Sequence, residues 1–345
     1  MKSVNFSVFK KMFWTLLVCM LFSSSAFAAM SDSDFMELCR EGSLQQIVDA
    51  INDGANVNAK DNKGRTPLIL ASRYKSNPDV ITALIDAGAD VNAKIEAGGW
   101  AVLTVAASYS NPEVIRILLN AGADIDAKDN NGWTVLMYAA AFNSDPEVIA
   151  VLLSVGTEIN ARDKDGMTPL MCATMRNSNP EVITTLIKAG ADVNERDKGG
   201  ITPLMHAAYG NSHPEVITTL IKAGAEVNSR EKNRLTPLMC AAANNSNPEV
   251  ITTLIKAGAD VNERDKGGIT PLMHAAENNS NPEVITTLLD FGANPNAKQF
   301  YFVGKMAIDF ARENEKLKDT DVIDKLKVSW LNQVLEAITF WMAPN

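Results

Sequence analysis

Two hydrophobic patterns alternate along this chain. The first is a short run of apolar and small residues opened by Thr-Pro-Leu or a variant, as in Thr202-Pro203-Leu204-Met205-His206-Ala207-Ala208. Proline at the first helical position sacrifices no hydrogen bond, and the threonine before it can cap, so the run predicts a short helix. The second pattern opens at Asn77-Pro78, Asn111-Pro112, Asp145-Pro146, Asn179-Pro180, His213-Pro214, Asn247-Pro248 and Asn281-Pro282. Within Pro180–Ala189, Val182, Ile183, Leu186 and Ile187 fall on one helical face. Glutamate in the first turn suits the helix dipole, and a glycine such as Gly190 just past the end suits a left-handed C-terminal cap. A polar D-x-x-G stretch then predicts a hairpin leading to the next Thr-Pro-Leu.

The pattern repeats at a fixed period. Its markers begin at Thr66, Ala101, Thr134, Thr168, Thr202, Thr236, Thr270 and Met306, 33 to 36 residues apart. Such a period signals stacked supersecondary units and not one closed core. Residues 177–208 and 245–276 are identical, so two units have been copied together. The elements G-x-T-P-L, A-A, E-V-I and A-G-A-D-V-N resemble the ankyrin repeat. The resemblance implies an all-α solenoid with short β-hairpins, about nine helix–turn–helix units spanning 31–327. Atypical capping units are expected at about 31–63 and 304–327. One residue is added between the helices of each unit relative to a 33-residue repeat. Arg234 stands where glycine is expected and Ala101-Val102 replaces Thr-Pro, so distorted hairpins are expected there.

The two ends differ from the repeats. Residues 1–28 combine Lys2, Lys10 and Lys11, an apolar run over 12–22 and Ala26-Phe27-Ala28, the pattern of a secretory signal peptide. The run is too short to span a bilayer, which needs about 20 residues. Export is therefore expected, to a periplasm or outside the cell. In residues 328–345, Trp330, Leu331, Val334, Leu335, Ile338 and Trp341 share one face of an amphipathic helix. Two readings stay open for it: a lid over the exposed end of the stack, or a docking element.

Composition narrows the function. Asp and Glu number 41 against 32 Lys and Arg, a net charge of −9, which becomes −12 once the three leader lysines are gone. An acidic chain without a basic cluster argues against nucleic acid as partner. Cys172, His206, Cys240 and His274 hold one place in four consecutive units. Stacked helices lie about 8–10 Å apart, too far to share a zinc whose ligands bond at about 2.0–2.3 Å. The same spacing keeps Cys39, Cys172 and Cys240 out of disulfide reach. The few histidines show no recurring acid partner, so no nucleophile–base set is expected, and neither is a metal or cofactor. His213 reads as a loop residue, and Gly199-Gly200 as turn glycines.

Function is therefore expected at the surface of a monomer, with a protein as partner and no membrane insertion of the mature chain. The resemblance places contacts on the concave side, at the hairpin tips and first helices. The residue before each marker includes Trp100, Trp133, Met167, Ile201, Leu235 and Ile269. Tyr74, Tyr109, Phe142 and Met175 lie just beyond the small-residue pair, beside those hairpins. These ten form the candidate partner-binding stripe, with Tyr74, Trp100, Tyr109, Trp133, Phe142 and Met175 as one aromatic-rich patch. A ladder in which each side chain merely covers its neighbour's hairpin is the competing reading. The expected function is an exported scaffold that holds or inhibits a partner; the alternative is a secreted effector that engages a host or foreign protein.

Overall fold

The computed structural model describes residues 30–300 and 304–327. The expected leader and the expected helix over 328–345 lie outside them. Each unit begins with a helix of about two turns, such as Pro203–Gly210, followed by a second, such as Pro214–Lys222. The Thr at the head of the first helix caps it as expected: Thr202 Oγ1 accepts the Met205 amide at 3.3 Å, and Thr66, Thr134, Thr168, Thr236 and Thr270 act alike. Ala101 offers no cap, yet helix Val102–Tyr109 still forms, because Val102, Leu103 and Ala106 are fully buried against its neighbours. At the second helices Asn77, Asp145, Asn179, Asn247 and Asn281 accept the amide two residues on. His213 makes no such cap and instead meets Asn211 Oδ1 through Nδ1 at 3.1 Å. The glycines that end the second helices have φ between 86° and 98°, the left-handed region where a Cβ is unfavourable.

Packing is a one-dimensional stack. Each first helix touches its own second helix and the first helices of adjacent units, and second helices line up in the same way. Leu68, Leu103, Leu136, Leu170, Leu204, Leu238 and Leu272 fill the seam from one side, and Val182, Ile183, Leu186 and their counterparts from the other. The run 32–52 divides into Asp32–Glu41 and Leu44–Asn52, separated by Gly42 and Ser43, and Phe35, Cys39 and Ile47 close its core. At the other end helix Ala307–Glu313 packs on Pro271–Asn278 and buries Phe310.

The connecting hairpins are tighter than a β-ladder. Among the described residues they hold only isolated bridges, Lys94 with Ala101 and Lys128 with Thr134. A carboxylate does much of what a ladder would do. Asp129 Oδ1 accepts the amides of Asn131 and Trp133, both at 2.8 Å. Asp61, Asp163, Asp197, Glu231 and Asp265 repeat that arrangement. The expected distortion at Arg234 is absent. Its backbone takes φ 67° in the glycine position, and Leu235 still donates to Glu231 at 3.0 Å.

Two asparagine ladders run along most of the stack. Buried Asn211 donates through Nδ2 to the carbonyls of Thr174 at 3.0 Å and Asn177 at 2.8 Å, one unit back. Asn143, Asn177, Asn245, Asn279 and Asn314 do the same. Beneath the hairpins Asn58, Asn92, Asn160, Asn194, Asn228 and Asn262 each reach the next unit's helix-ending glycine carbonyl. Asp126 occupies that place ahead of the third marker, where a carboxylate has no N–H to give.

Candidate functional site

Among the described residues the face formed by the hairpins and first helices carries a cluster of four aromatic rings in mutual contact. Asp129, by fixing its turn, delivers Trp133 to the start of helix Val135–Phe142. One turn further on, Tyr138 stands beside it, ring centres 5.1 Å apart and edge-on. Trp100, from the preceding hairpin, meets Tyr138 from the other side at 5.9 Å, again edge-on. Phe142 completes the cluster, stacked on Trp133 at 6.4 Å and tilted to Tyr138 at 6.1 Å. Edge-to-face pairs at these separations are the favoured geometry and contribute about 0.5–1.5 kcal/mol each. A cavity of about 250 Å³ opens among these rings, lined also by Asp129, Tyr109 and Arg176.

Tyr138 is the unexpected centre of this cluster. Sequence spacing places it in the packing register of Cys172, His206, Cys240 and His274, and it is mostly buried. Its hydroxyl donates to Asp129 Oδ2 at 2.8 Å. Burial, then the neighbouring carboxylate, push the phenol's pKa upward, so it stays protonated and keeps donating.

The same register corrects the expectation that the histidines lack an acid partner. His206 Nε2 lies 3.1 Å from Asp197 Oδ2, and His274 Nε2 lies 3.2 Å from Asp265 Oδ2. The acid sits nine residues ahead in each case, hidden from a sequence reading because its other oxygen is busy holding the turn. These pairs are structural in form: half-buried, two units apart, with no third group to orient a nucleophile. Among the described residues no group of three or more His, Cys, Asp or Glu is placed to hold a metal ion. Cys39, Cys172 and Cys240 are free, and burial pushes the Cys39 and Cys240 thiols up to about 12.

The ten stripe residues separate into three groups. Tyr74, Tyr109 and Phe142 are exposed by 41–46%. Arg73 sits over both Tyr74 and Tyr109, at 5.4 and 4.7 Å from their ring centres, linking them through a cation instead of direct ring contact. Trp100, Trp133, Met175, Ile201, Leu235 and Ile269 are half-buried. Trp133 and Met175 lean on a small apolar cluster of Met137, Met171 and Cys172, while Trp100 and Ile269 lean on the main core. Met167 departs from the accessible stripe: it is 8% exposed and belongs to that same small cluster. The covering ladder thus accounts for Met167, and the exposed aromatic half stands apart from it.

Paired helices, stacking in register with projecting turns, define a helical-repeat solenoid. The chain belongs to the ankyrin-repeat family: the family's models match as ankyrin repeats over 93–163, 136–231 and 204–299, with a further single repeat over 63–95. Ankyrin repeats are typically non-enzymatic scaffolds that bind protein partners. No curated protein matches the chain. Among the described residues no helix is long and apolar enough to cross a membrane.

Proposed function

We propose that the chain is an exported, non-catalytic scaffold that holds or inhibits a partner protein against the hairpin-and-first-helix face around Trp100, Trp133 and Phe142. One observation carries the reading: the large exposed aromatics Tyr74, Tyr109 and Phe142 gather on that face, with Trp100 and Trp133 half-open beside them. Aromatic residues dominate interface energetics, and exposed apolar patches on soluble proteins mark contact surfaces. Support for export is the leader pattern of residues 1–28. The test is capture of partner by the full chain and by a Trp100→Ser, Trp133→Ser double variant of unchanged circular dichroism. Loss of capture supports the reading, and undiminished capture contradicts it.

A further inference from the structure

Among the described residues a cation lies over four of the six exposed aromatic rings, and none lies over Tyr209 or Phe291. Arg40 and Arg73 lie over Tyr74, Arg73 over Tyr109, Arg176 over Phe142, Arg264 over Phe300 and Lys305 over Phe310, at 4.7 to 5.5 Å from the ring centres. The largest group of rings meets at the cavity between the second and third marked units. Among the described residues no cation lies over Trp100, Trp133 or Tyr138, although these rings line it together. A negative charge lines the cavity with them. Asp129 accepts two amides and one phenol, all neutral donors, and has no ion-pair partner among the described residues. At the matching place Asp61 takes Arg65 at 2.6 Å and Asp197 and Asp265 meet histidine, while Asp163 and Glu231, like Asp129, have no ion pair among the described residues.

Three electron-rich rings, a carboxylate that makes no ion pair among the described residues and about 250 Å³ of open volume therefore meet at one point. We propose that this cavity binds an alkylated ammonium group, either the head of a choline-like amine or a methylated lysine side chain. Such a cation carries little hydration to lose and gains from ring faces and carboxylate together, whereas a neutral group of equal shape gains only from burial. Arg176 also lines the cavity, but it stands over Phe142 and over none of the three rings. The turn that carries Asp129 and Trp133, together with the phenol of Tyr138, holds the walls in place before any ligand arrives. The inference rests on the contact-surface reading above and names the chemistry its aromatic part selects.

The experiment titrates the full chain with choline and with 3,3-dimethylbutan-1-ol, its uncharged isostere, following the indole N–H resonances of Trp100 and Trp133. A peptide bearing trimethyllysine and the same peptide bearing norleucine form the second arm. Saturable choline or trimethyllysine binding at about millimolar concentration or below, with the neutral counterpart about tenfold weaker or more, is the expected result. Tighter binding of the peptide assigns the site to a partner's side chain, and tighter binding of choline assigns it to a free amine. Trp133→Leu, which keeps apolar bulk, is expected to abolish the preference; should that variant fail to fold, the isostere ratio on the unaltered chain decides. Equal affinity for charged and neutral probes, or no saturation with either, overturns the inference. If partner capture still depends on Trp100 and Trp133 in that event, the contact surface stands and only the ammonium chemistry is removed.

Discussion

Tyr138 donates a 2.8 Å hydrogen bond to Asp129, joining the first helix of a unit to the turn that precedes it. His206 with Asp197 and His274 with Asp265 make the same junction with a different side chain. One structural position is thus filled by residues of unlike chemistry, and only Tyr138 adds an aromatic surface to the junction. Tyr138→Phe keeps the ring and removes the donor. Urea unfolding is expected to show a loss of about 1–2 kcal/mol, the range for a hydrogen bond to a partly exposed charged group. No measurable loss would mean that the phenol contributes nothing to the turn.

The buried asparagines carry the stack from unit to unit. Asn211→Ala leaves the carbonyls of Thr174 and Asn177 without their donor in a buried seam. A destabilisation of about 2–4 kcal/mol is expected from two unmade bonds. Because repeats couple to nearest neighbours, the unfolding transition should also broaden or split at that seam.

Arg234 holds a left-handed backbone without being glycine. Arg234→Gly relieves roughly 1 kcal/mol of steric cost, against an exposed ion pair to Glu263 that contributes about 0–1 kcal/mol. Glu263 keeps Arg230 at 2.7 Å in any case. Thermal unfolding of the variant should therefore match or exceed that of the parent. A clear fall would show that the Arg234–Glu263 contact matters more than the strain.

Burial lowers the pKa of His206, against the opposing pull of Asp197. A histidine that resists protonation when folded takes a proton up readily once unfolded, below about pH 6.5. Stability should thus decline as pH falls from neutrality through that value and towards the folded pKa. His206→Leu places there the residue that Leu70 supplies in its own unit, buried and uncharged. The variant's stability is expected to vary less between pH 7 and pH 5 than the parent's. An unchanged slope would assign the dependence to other groups.

Period, caps and core were legible because each depends on residues close in sequence: Thr202 reaches Met205, and Val182, Ile183 and Leu186 share one helical face. The site was legible only in outline. Trp100 and Trp133 were marked by their place before the marker, but Tyr138 resembled core because spacing reports register and not what stands nine residues away. Met167 occupies the same register as Trp133 and is nevertheless buried, since its flexible side chain folds onto Met171 and Cys172. The N-S-N-P recurrence, as in Asn177-Ser178-Asn179-Pro180, was visible in the sequence. Its first asparagine bonds across units, which a reading of local capping does not reveal.

Partner protein is expected on the aromatic face of the stack and not on the second helices. Photocrosslinking tests it most directly, with a photoreactive amino acid replacing Phe142 in one sample and the exposed Lys222 of a second helix in another. A crosslinked adduct from position 142, with none from 222, is the predicted result. An adduct from 222 and none from 142 would contradict the claim.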